Sequence, residues 1–196
     1  MTNTPYIRTG LIATWAACAT LASATVLVSE FQAINTGGLL DEDGASSDWI
    51  ELHNGGSAPV DLAGWRLTDN AALPNKWVLP AHNLGAGEYL LVFASGKNRT
   101  NPLAELHANF KLDGDGEYLG LLRPDGTLAN DFGAQYPEQR SDFSYGLLGG
   151  LGVSNRFFFA TPTPGTANSP GFIAFVGDTK FSVDRGFYTQ AFTVAI

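Results

Sequence analysis

The sequence predicts an all-β domain, either a sandwich or a small barrel, and three observations lead to this prediction. Apolar and polar residues alternate along several short runs, Gly- and Asp-rich turns separate those runs, and no window shows sustained apolar spacing at three and four residues. The composition agrees, because 23 Gly and 10 Pro with only 15% charged residues are typical of short strands and many turns. The 196 residues suffice for one domain with additional segments and exclude two large domains.

The individual strands are predicted from this alternation, in chain order. In the clearest run, Ile50 and Leu52 face one side of the strand. Trp49, Glu51 and His53 face the other side. The sequence predicts strands of this kind at 26–31, 48–54, 65–68, 76–79, 89–94, 117–123, 127–132 and 156–160.

Residues 1–24 have the three-part layout of a secretory signal peptide. Arg8 is the one charged side chain among them, and an apolar run follows at 11–21. Ala22 and Ala24 then stand at the −3 and −1 positions of a cleavage site that requires small residues. We therefore expect export, with a secreted or cell-surface location.

An uncleaved membrane anchor is the alternative for the leader. No charge appears from Thr9 to Ser29, a stretch of 21 residues that is long enough to span a bilayer. The apolar region itself is short, and the run at 26–28 fits the first strand of the domain better, so cleavage is favoured. Cleavage after Ala24 would remove Arg8 and Cys18, which changes the net charge from −8 to −9 and leaves no cysteine.

Charge and composition exclude several classes of function. A net charge of −8 repels phosphate backbones, so nucleic-acid binding by electrostatic attraction is not expected. The single Cys excludes an intrachain disulfide. One Met and three His provide few ligands for a soft metal ion.

A series of motifs in a fixed order resembles the lamin tail domain over residues 25–168. The individual motifs are short, and it is their order along the chain that makes the resemblance specific. They are Ser29-Glu30-Phe31, the run at 48–54, Leu62-Ala63-Gly64-Trp65-Arg66-Leu67-Thr68-Asp69, Lys76-Trp77-Val78-Leu79-Pro80, the runs at 84–90, 110–112 and 116–119, Ser144-Tyr145-Gly146 and the Pro-rich run at 161–168.

This resemblance implies an immunoglobulin-like β-sandwich. In bacteria such domains look like accessory modules of large exported proteins, sometimes beside nucleases or other hydrolases. The family implies no catalytic residues for this chain. The nuclear setting of the animal relatives is not expected here, because the chain begins with an export leader.

The C-terminal part of the chain predicts a linker and a second β module. Three Pro and two Gly make the run at 161–171 typical of an inter-domain linker. The runs at 181–188 and 192–196 resemble the start of a chitobiase-type C-terminal domain, also Ig-like. The alternative is that residues 172–196 add strands to the first sandwich. We expect a signal peptide at 1–24, the sandwich at 25–168, and a linker with a truncated second domain at 169–196 of a longer protein.

Two acidic loops are candidate calcium sites. Asp41-Glu42-Asp43-Gly44, with Asp48 nearby, places oxygen ligands at alternate positions beside a Gly turn, and the run at 113–117 (Asp113-Gly114-Asp115-Gly116-Glu117) does the same. Both lack the closing bidentate Glu of a twelve-residue calcium loop, since Leu52 and Pro124 occupy that position. Solvated turns are the alternative, because Asp and Gly favour turns for backbone reasons.

The remaining polar candidates give weaker signals. His53, His82 and His107 show no zinc-binding spacing. His53 could pair with Glu51 as a general base, although a surface histidine with one hydrogen bond is the favoured interpretation. Ser95 does not lie in a Gly-x-Ser-x-Gly elbow.

Aromatic residues on the predicted strands suggest one further possibility. Trp49, Trp65 and Trp77 could form a surface that stacks on carbohydrate, but packing in the core or on a sheet face explains them more simply.

These observations together predict a non-enzymatic interaction or scaffolding module of an exported, multidomain bacterial protein. No catalytic, cofactor-binding or metal-binding residue is assigned. The expected partners are neighbouring domains of the same polypeptide and a cell-surface protein or polysaccharide. The alternative is an accessory substrate- or wall-binding region of a secreted hydrolase whose catalytic domain follows Ile196.

Overall fold

The computed structural model describes residues 26–149 and 155–176, together with Gln190, Ala191 and Thr193. The predicted signal peptide, the predicted strand at 181–188 and most of that at 192–196 lie outside the described residues. Within the described residues all regular structure is β-strand apart from isolated turns, which confirms the predicted all-β class. No helix in this part of the chain is long and apolar enough to cross a membrane.

In the described part of the chain, twelve strands form three sheets. A six-stranded sheet has the order β12-β11-β1-β2-β7-β8, a four-stranded sheet has the order β10-β9-β4-β5, and β3 pairs with β6. Neighbouring strands are antiparallel except β7 and β8, which are parallel. The strands are β1 Val26–Gln32, β2 Asp48–Asn54, β3 Val60–Asp61, β4 Arg66–Thr68, β5 Trp77–Val78, β6 Asn83–Leu84, β7 Tyr89–Ala94, β8 Leu106–His107, β9 Gly120–Leu122, β10 Leu128–Asp131, β11 Ser144–Leu147 and β12 Arg156–Phe159.

Each of the eight predicted strands is present, and several are shorter than predicted. The sequence did not predict β3, β6, β8 and β11. The first three have two residues each, which is too short for an alternation pattern to be recognised. β11 contains Gly146 between Tyr145 and Leu147, so its alternation is broken by a residue with no side chain.

The hydrophobic core lies between the two larger sheets. Ile50 from the six-stranded sheet and Leu67 from the four-stranded sheet are both fully buried in it. The rings of Phe31 in β1 and Phe132 beyond β10 meet edge to face, with centroids 5.0 Å apart. Two sheets that bury their facing sides in this way form a β-sandwich, as predicted.

A side-chain amide also ties the two sheets together. Asn130 in β10 accepts a hydrogen bond from the Val28 N–H at 2.9 Å and donates one to the Val28 carbonyl at 3.2 Å. The amide therefore imitates a neighbouring strand for one residue of β1, and it satisfies backbone groups that would otherwise be buried without partners.

A β-bulge in β1 changes which side chains face outward. Val28 pairs with Leu52 but Glu30 pairs with Glu51, so Ser29 is an extra residue on β1. A bulge of this kind puts two consecutive residues opposite one residue of the partner strand. Ser29 and Glu30 therefore both lie beside Glu51, on the face of the sheet that points away from the core.

β11 approaches β1 so closely that only glycine fits at one position. A Cβ atom on Gly146 would lie 2.2 Å from the carbonyl oxygen of Ser29 and 2.8 Å from the Cα of Glu30. Real Cβ atoms do not approach backbone atoms this closely, so a side chain here would push β1 and β11 apart.

We predict that Gly146→Ala lowers the free energy of unfolding by about 1–3 kcal/mol, the usual cost of overpacking. Gly37→Ala is the matched control, because the nearest atom to its added Cβ is Asp142 Oδ2 at 3.9 Å. Denaturant unfolding of both variants measures the effect. Equal destabilisation by the two substitutions would contradict the close approach of β11 to β1.

Candidate functional site

Two glutamates lie buried on the outer face of the six-stranded sheet. Glu30 in β1 and Glu51 in β2 are register partners, and neither has any exposed surface. The segment Thr163–Asn168, which we call the strap, covers them and contacts β1, β2 and β11.

Glu30 is hydrogen-bonded to one strand and to the strap. Its carboxylate accepts hydrogen bonds from the Ser144 hydroxyl in β11 and from the Thr163 hydroxyl at 2.8 Å. The Thr163 N–H donates to both carboxylate oxygens, at 3.1 and 3.2 Å. One carboxylate thus receives donors from β11 and from the strap at the same time.

Glu51, directly opposite Glu30, binds the strap at Gly165 instead of Thr163. It accepts a hydrogen bond from the Ser29 hydroxyl at 2.5 Å and from the Gly165 N–H at 2.6 Å. The amide of Asn168 completes the attachment, donating to the carbonyls of Ser29 at 3.0 Å and Leu147 at 2.8 Å. The strap is therefore attached at both of its ends and in the middle.

Burial determines the protonation of these carboxyl groups. It raises the pKa of Glu51 to about 7, and the neighbouring charge of Glu30 adds to the effect, while hydrogen bonds from Ser29 and Gly165 work against it. Burial also raises the pKa of Glu30, against hydrogen bonds from Ser144 and Thr163. No ion pair joins either carboxylate to a cation within the described residues.

A carboxyl group that titrates near pH 7 has the proton affinity of a general acid or base. In this protein, however, the oxygens of Glu51 are occupied by Ser29 and Gly165, beneath the strap. The arrangement therefore binds the chain's own C-terminal segment, and the two glutamates hold the strap on the sheet by hydrogen bonds.

The geometry gives no support to the disfavoured alternative in which His53 pairs with Glu51 as a general base. The His53 ring stacks on Tyr89, with centroids 4.3 Å apart and planes 13° from parallel, and within the described residues no hydrogen bond joins it to Glu51. Burial lowers the pKa of His53, so the imidazole is neutral at pH 7. A cavity of about 520 Å³ lies beside this stacked pair.

The first acidic loop is neutralised by cations from the chain itself. Asp41 accepts hydrogen bonds from Lys97 at 2.6 Å and from the Ser47 hydroxyl at 2.7 Å. Asp43 pairs with Lys97 and Arg99, and Arg99 also pairs with Glu42. Burial alone would raise the pKa of Asp41, but its hydrogen bonds outweigh this effect and lower the pKa.

Asp48, the fifth member of that candidate set, has a different environment. Its carboxylate accepts a hydrogen bond from the Asn35 N–H at 3.4 Å, and burial raises its pKa to about 6. The oxygens of the first loop therefore serve ion pairs and turn hydrogen bonds within the chain, and the Asp41 side chain is buried instead of solvated.

The second acidic loop is an internally hydrogen-bonded turn. Asp113 accepts a hydrogen bond from the Asp115 N–H at 2.9 Å, and Glu117 accepts one from the Asp113 N–H at 2.9 Å. The Tyr136 hydroxyl donates to the Asp113 carbonyl at 2.8 Å. Across the described residues, no group of three or more His, Cys, Asp or Glu is placed to hold a metal ion.

The other candidates lie apart from the strap. His107 is fully buried in β8, and its Nδ1 lies 2.9 Å from the Ser95 hydroxyl. Sequence reasoning missed this contact because the parallel pairing of β7 with β8, which brings the two residues together, leaves no local pattern. His82 lies in the wall of a separate cavity of about 320 Å³.

The three tryptophans do not form an exposed surface. Trp49, Trp65 and Trp77 are all buried, with at most 4% of their surface exposed. Trp49 also donates its indole N–H to Gln32 Oε1 at 2.7 Å. The interpretation as core and sheet-face packing is confirmed, and a carbohydrate-stacking surface made of these rings is excluded.

Comparison with known proteins identifies one family. Residues 20–135, more than half of the chain, match the model of the Lamin Tail Domain. No curated protein matches the chain. The matched region ends before β11, β12 and the strap, although β11 pairs directly with β1 in the same sheet.

The buried carboxyl group of Glu51 makes stability depend on pH. Its pKa is about 7 in the folded state against an ordinary 4.5, so the folded protein binds more protons than the unfolded chain between these values. The stability that Glu51 contributes is therefore lost as the pH rises from 4.5 through 7. We predict that the free energy of unfolding of the wild type, relative to Glu51→Gln, falls by up to about 3 kcal/mol between pH 5 and pH 8.

Urea unfolding of both proteins at the two pH values measures this difference. Subtracting the free energy of unfolding of the variant removes the pH dependence that other groups give to both proteins. The raised pKa values of Glu30 and Asp48 lower the stability as the pH rises. The lowered pKa values of His53 and His107 increase it. A difference that stays constant, or that grows with pH, would show that Glu51 is not buried as described.

Proposed function

The chain belongs to the lamin tail domain family, and from this premise we propose that it is a non-catalytic scaffolding module. Its immunoglobulin-like fold is compatible with such a role. In this proposal the module holds the polypeptide that follows the sandwich in a fixed orientation, so that neighbouring domains are positioned with respect to it.

One observation carries this proposal: the C-terminal segment is attached to the sandwich well past β12. The strap, which lies within the predicted linker run at 161–171, is bound through Glu30 and Glu51. Beyond it, Phe172 forms two backbone hydrogen bonds with Phe158 in β12, at 2.8 and 3.0 Å.

Aromatic packing extends this attachment to Phe175. Its ring lies 4.6 Å from that of Phe158 and 5.2 Å from that of Phe143, and the Arg140 guanidinium lies 4.4 Å from its centroid. A chain held by backbone hydrogen bonds and by packed rings leaves the sandwich in one direction, as a scaffold requires.

The wider context of the module is also part of the proposal. The leader at 1–24 supports export to the cell surface or the medium, and the pattern at 181–196 supports a second Ig-like module after the strap. The partners would then be the neighbouring domains and a surface protein or polysaccharide. The net charge of −8 disfavours nucleic acid.

Distance measurements by electron spin resonance test the fixed orientation. Spin labels are attached to cysteines at Leu103 and Ile173, which are 94% and 78% exposed, in a chain that carries Cys18→Ala. We predict one narrow distance distribution, because the strap and Phe172 hold Ile173 on the sandwich. A reference pair at Leu103 and Leu128 gives the width expected within the sandwich itself. A distribution much broader than the reference would mean that the segment is a flexible tether.

The N-terminus of the exported protein tests the leader. We predict that protein recovered outside the bacterial cytoplasm begins at Thr25, since Ala22 and Ala24 form the cleavage site. Ala24→Phe is the matched control, because a large side chain at the −1 position blocks cleavage, and the longer precursor should accumulate. Intact protein beginning at Met1 in the membrane fraction of the wild type would establish the anchor instead.

A further inference from the structure

A cavity beside the strap has the properties of a ligand site. It measures about 520 Å³ and opens on the outer face of the six-stranded sheet, and its volume lies within the range of small-molecule sites. Apolar walls are provided by Leu27, Leu147 and Leu148. None of these residues takes part in the attachment of the strap through its side chain.

Part of the cavity lining is a neutral aromatic pair. His53 and Tyr89 both line the cavity, and their rings are stacked with centroids 4.3 Å apart. His53 is uncharged at neutral pH because burial lowers its pKa. His53 covers one face of the Tyr89 ring, so a cation in the cavity contacts the opposite face, which also carries negative charge density and attracts a cation placed over it.

A buried negative charge lies directly behind the same lining. Ser29 lines the cavity, and its hydroxyl donates to the Glu51 carboxylate at 2.5 Å. The electrostatic field of Glu51 reaches the aromatic pair. The pKa of Tyr89 is raised mainly by the burial of its hydroxyl, and the charge of Glu51 raises it further. The ion pairs of the described residues use other acids, so no cation within this part of the chain neutralises Glu30 or Glu51.

Hydrogen bonding indicates which kind of cation fits. The Ser29 hydroxyl is engaged with Glu51, and the carbonyls of Ser29 and Leu147 accept the Asn168 amide. A primary ammonium group brings three N–H donors and needs acceptors for them when it leaves water, whereas the remaining polar side chains of the lining, His53 and Tyr89, offer one acceptor atom each. A quaternary ammonium group has no donors, so apolar walls, an aromatic face and a negative field suffice to bind it.

We propose that this cavity binds a quaternary ammonium group, with the methyl groups against the leucines and Tyr89 and the charge facing buried Glu51. This site goes beyond the scaffolding role and is independent of it, because the strap can orient the following chain whether or not the cavity is filled. The overall charge of −8 favours the approach of a cationic ligand.

Calorimetric titration of the full chain with choline at pH 8 tests the proposal. The neutral isostere 3,3-dimethyl-1-butanol has the same shape without the charge. We expect saturable binding of choline and at least about tenfold weaker binding of the isostere, a difference in the range of a desolvated cation–π contact. Equal binding of the two compounds, or no binding of choline, would overturn the proposal.

A third probe distinguishes the quaternary group from a lysine side chain. Nα-Acetyl-lysine methylamide carries a primary ammonium group, and we expect it to bind more weakly than choline because three N–H donors cost more to remove from water than methyl groups do. Tighter binding of the lysine derivative would overturn the assignment to a quaternary ammonium ligand.

Two substitutions at one position locate the site. Tyr89→Leu removes the aromatic face and should weaken choline binding about tenfold, whereas Tyr89→Phe keeps the ring and should change it less than about twofold. Unchanged binding in Tyr89→Leu would place the ligand elsewhere and overturn the proposal. If Tyr89→Leu does not fold, as judged by circular dichroism, the comparison of choline with its isostere on the wild type decides.

The pH dependence gives a further readout. The titratable groups that face the cavity lining are Glu30, Glu51, His53 and Tyr89. Lowering the pH from 8 to 5.5 adds protons to the carboxylates or to the imidazole. Either change reduces the attraction of the cavity for a cation. We expect choline to bind several-fold more weakly at pH 5.5, with a smaller change in Glu51→Gln. Tighter binding at pH 5.5 would contradict an electrostatic site.

Discussion

The attachment of the C-terminal segment depends on two carboxylates buried side by side on β1 and β2. Moving a carboxylate out of water without a cation costs several kcal/mol, and the raised pKa values of Glu30 and Glu51 record that cost. Each hydrogen bond to a charged acceptor returns roughly 1.5–3 kcal/mol, and the two groups together receive donors from Ser29, Ser144 and the strap. The strap donors must therefore stay in register with the two carboxylates, because a strap that shifted along the sheet would still cover them but leave them without partners. This requirement selects one position for the strap and explains why a Pro-rich segment lies fixed on a sheet.

Charge is distributed unevenly over the sandwich. In the first acidic loop, Asp41, Glu42 and Asp43 meet Lys97 and Arg99, so acids and bases largely cancel. On the outer sheet face the acids are buried and have neutral donors only. The same residue type thus serves two purposes: the carboxylates of the first loop close it through ion pairs, and those beneath the strap accept hydrogen bonds from neutral donors. A composition that counts acids and bases cannot separate these uses, because it contains no information on burial.

The fold could be predicted from the sequence further than the site could. Alternation of apolar and polar residues is visible in the longer strands, β1, β2 and β7. The order of the motifs along the chain identified the family. β8 has two residues and exists because the chain returns beside β7, which no local pattern reveals. The attachment of the strap to the two glutamates was missed for a similar reason. Glu30 and Thr163 are 133 positions apart in sequence, and Glu51 and Gly165 are 114 apart. One local signal was available: a glutamate in an otherwise apolar strand needs a hydrogen-bond partner if the strand is central.

The position of β1 has a consequence for the way in which the chain folds. β1 comes first among the described strands, yet it lies between β2 and β11, and its Glu30 needs the strap. Pairings between residues this far apart in sequence make folding slow, because a long loop must close before they form. During synthesis β1 can pair with β2 soon after both have emerged, but its pairing with β11 and its contacts with the strap must wait for more than a hundred further residues. The six-stranded sheet is therefore completed late, and a nascent chain that ends before the strap lacks the donors that Glu30 and Glu51 need.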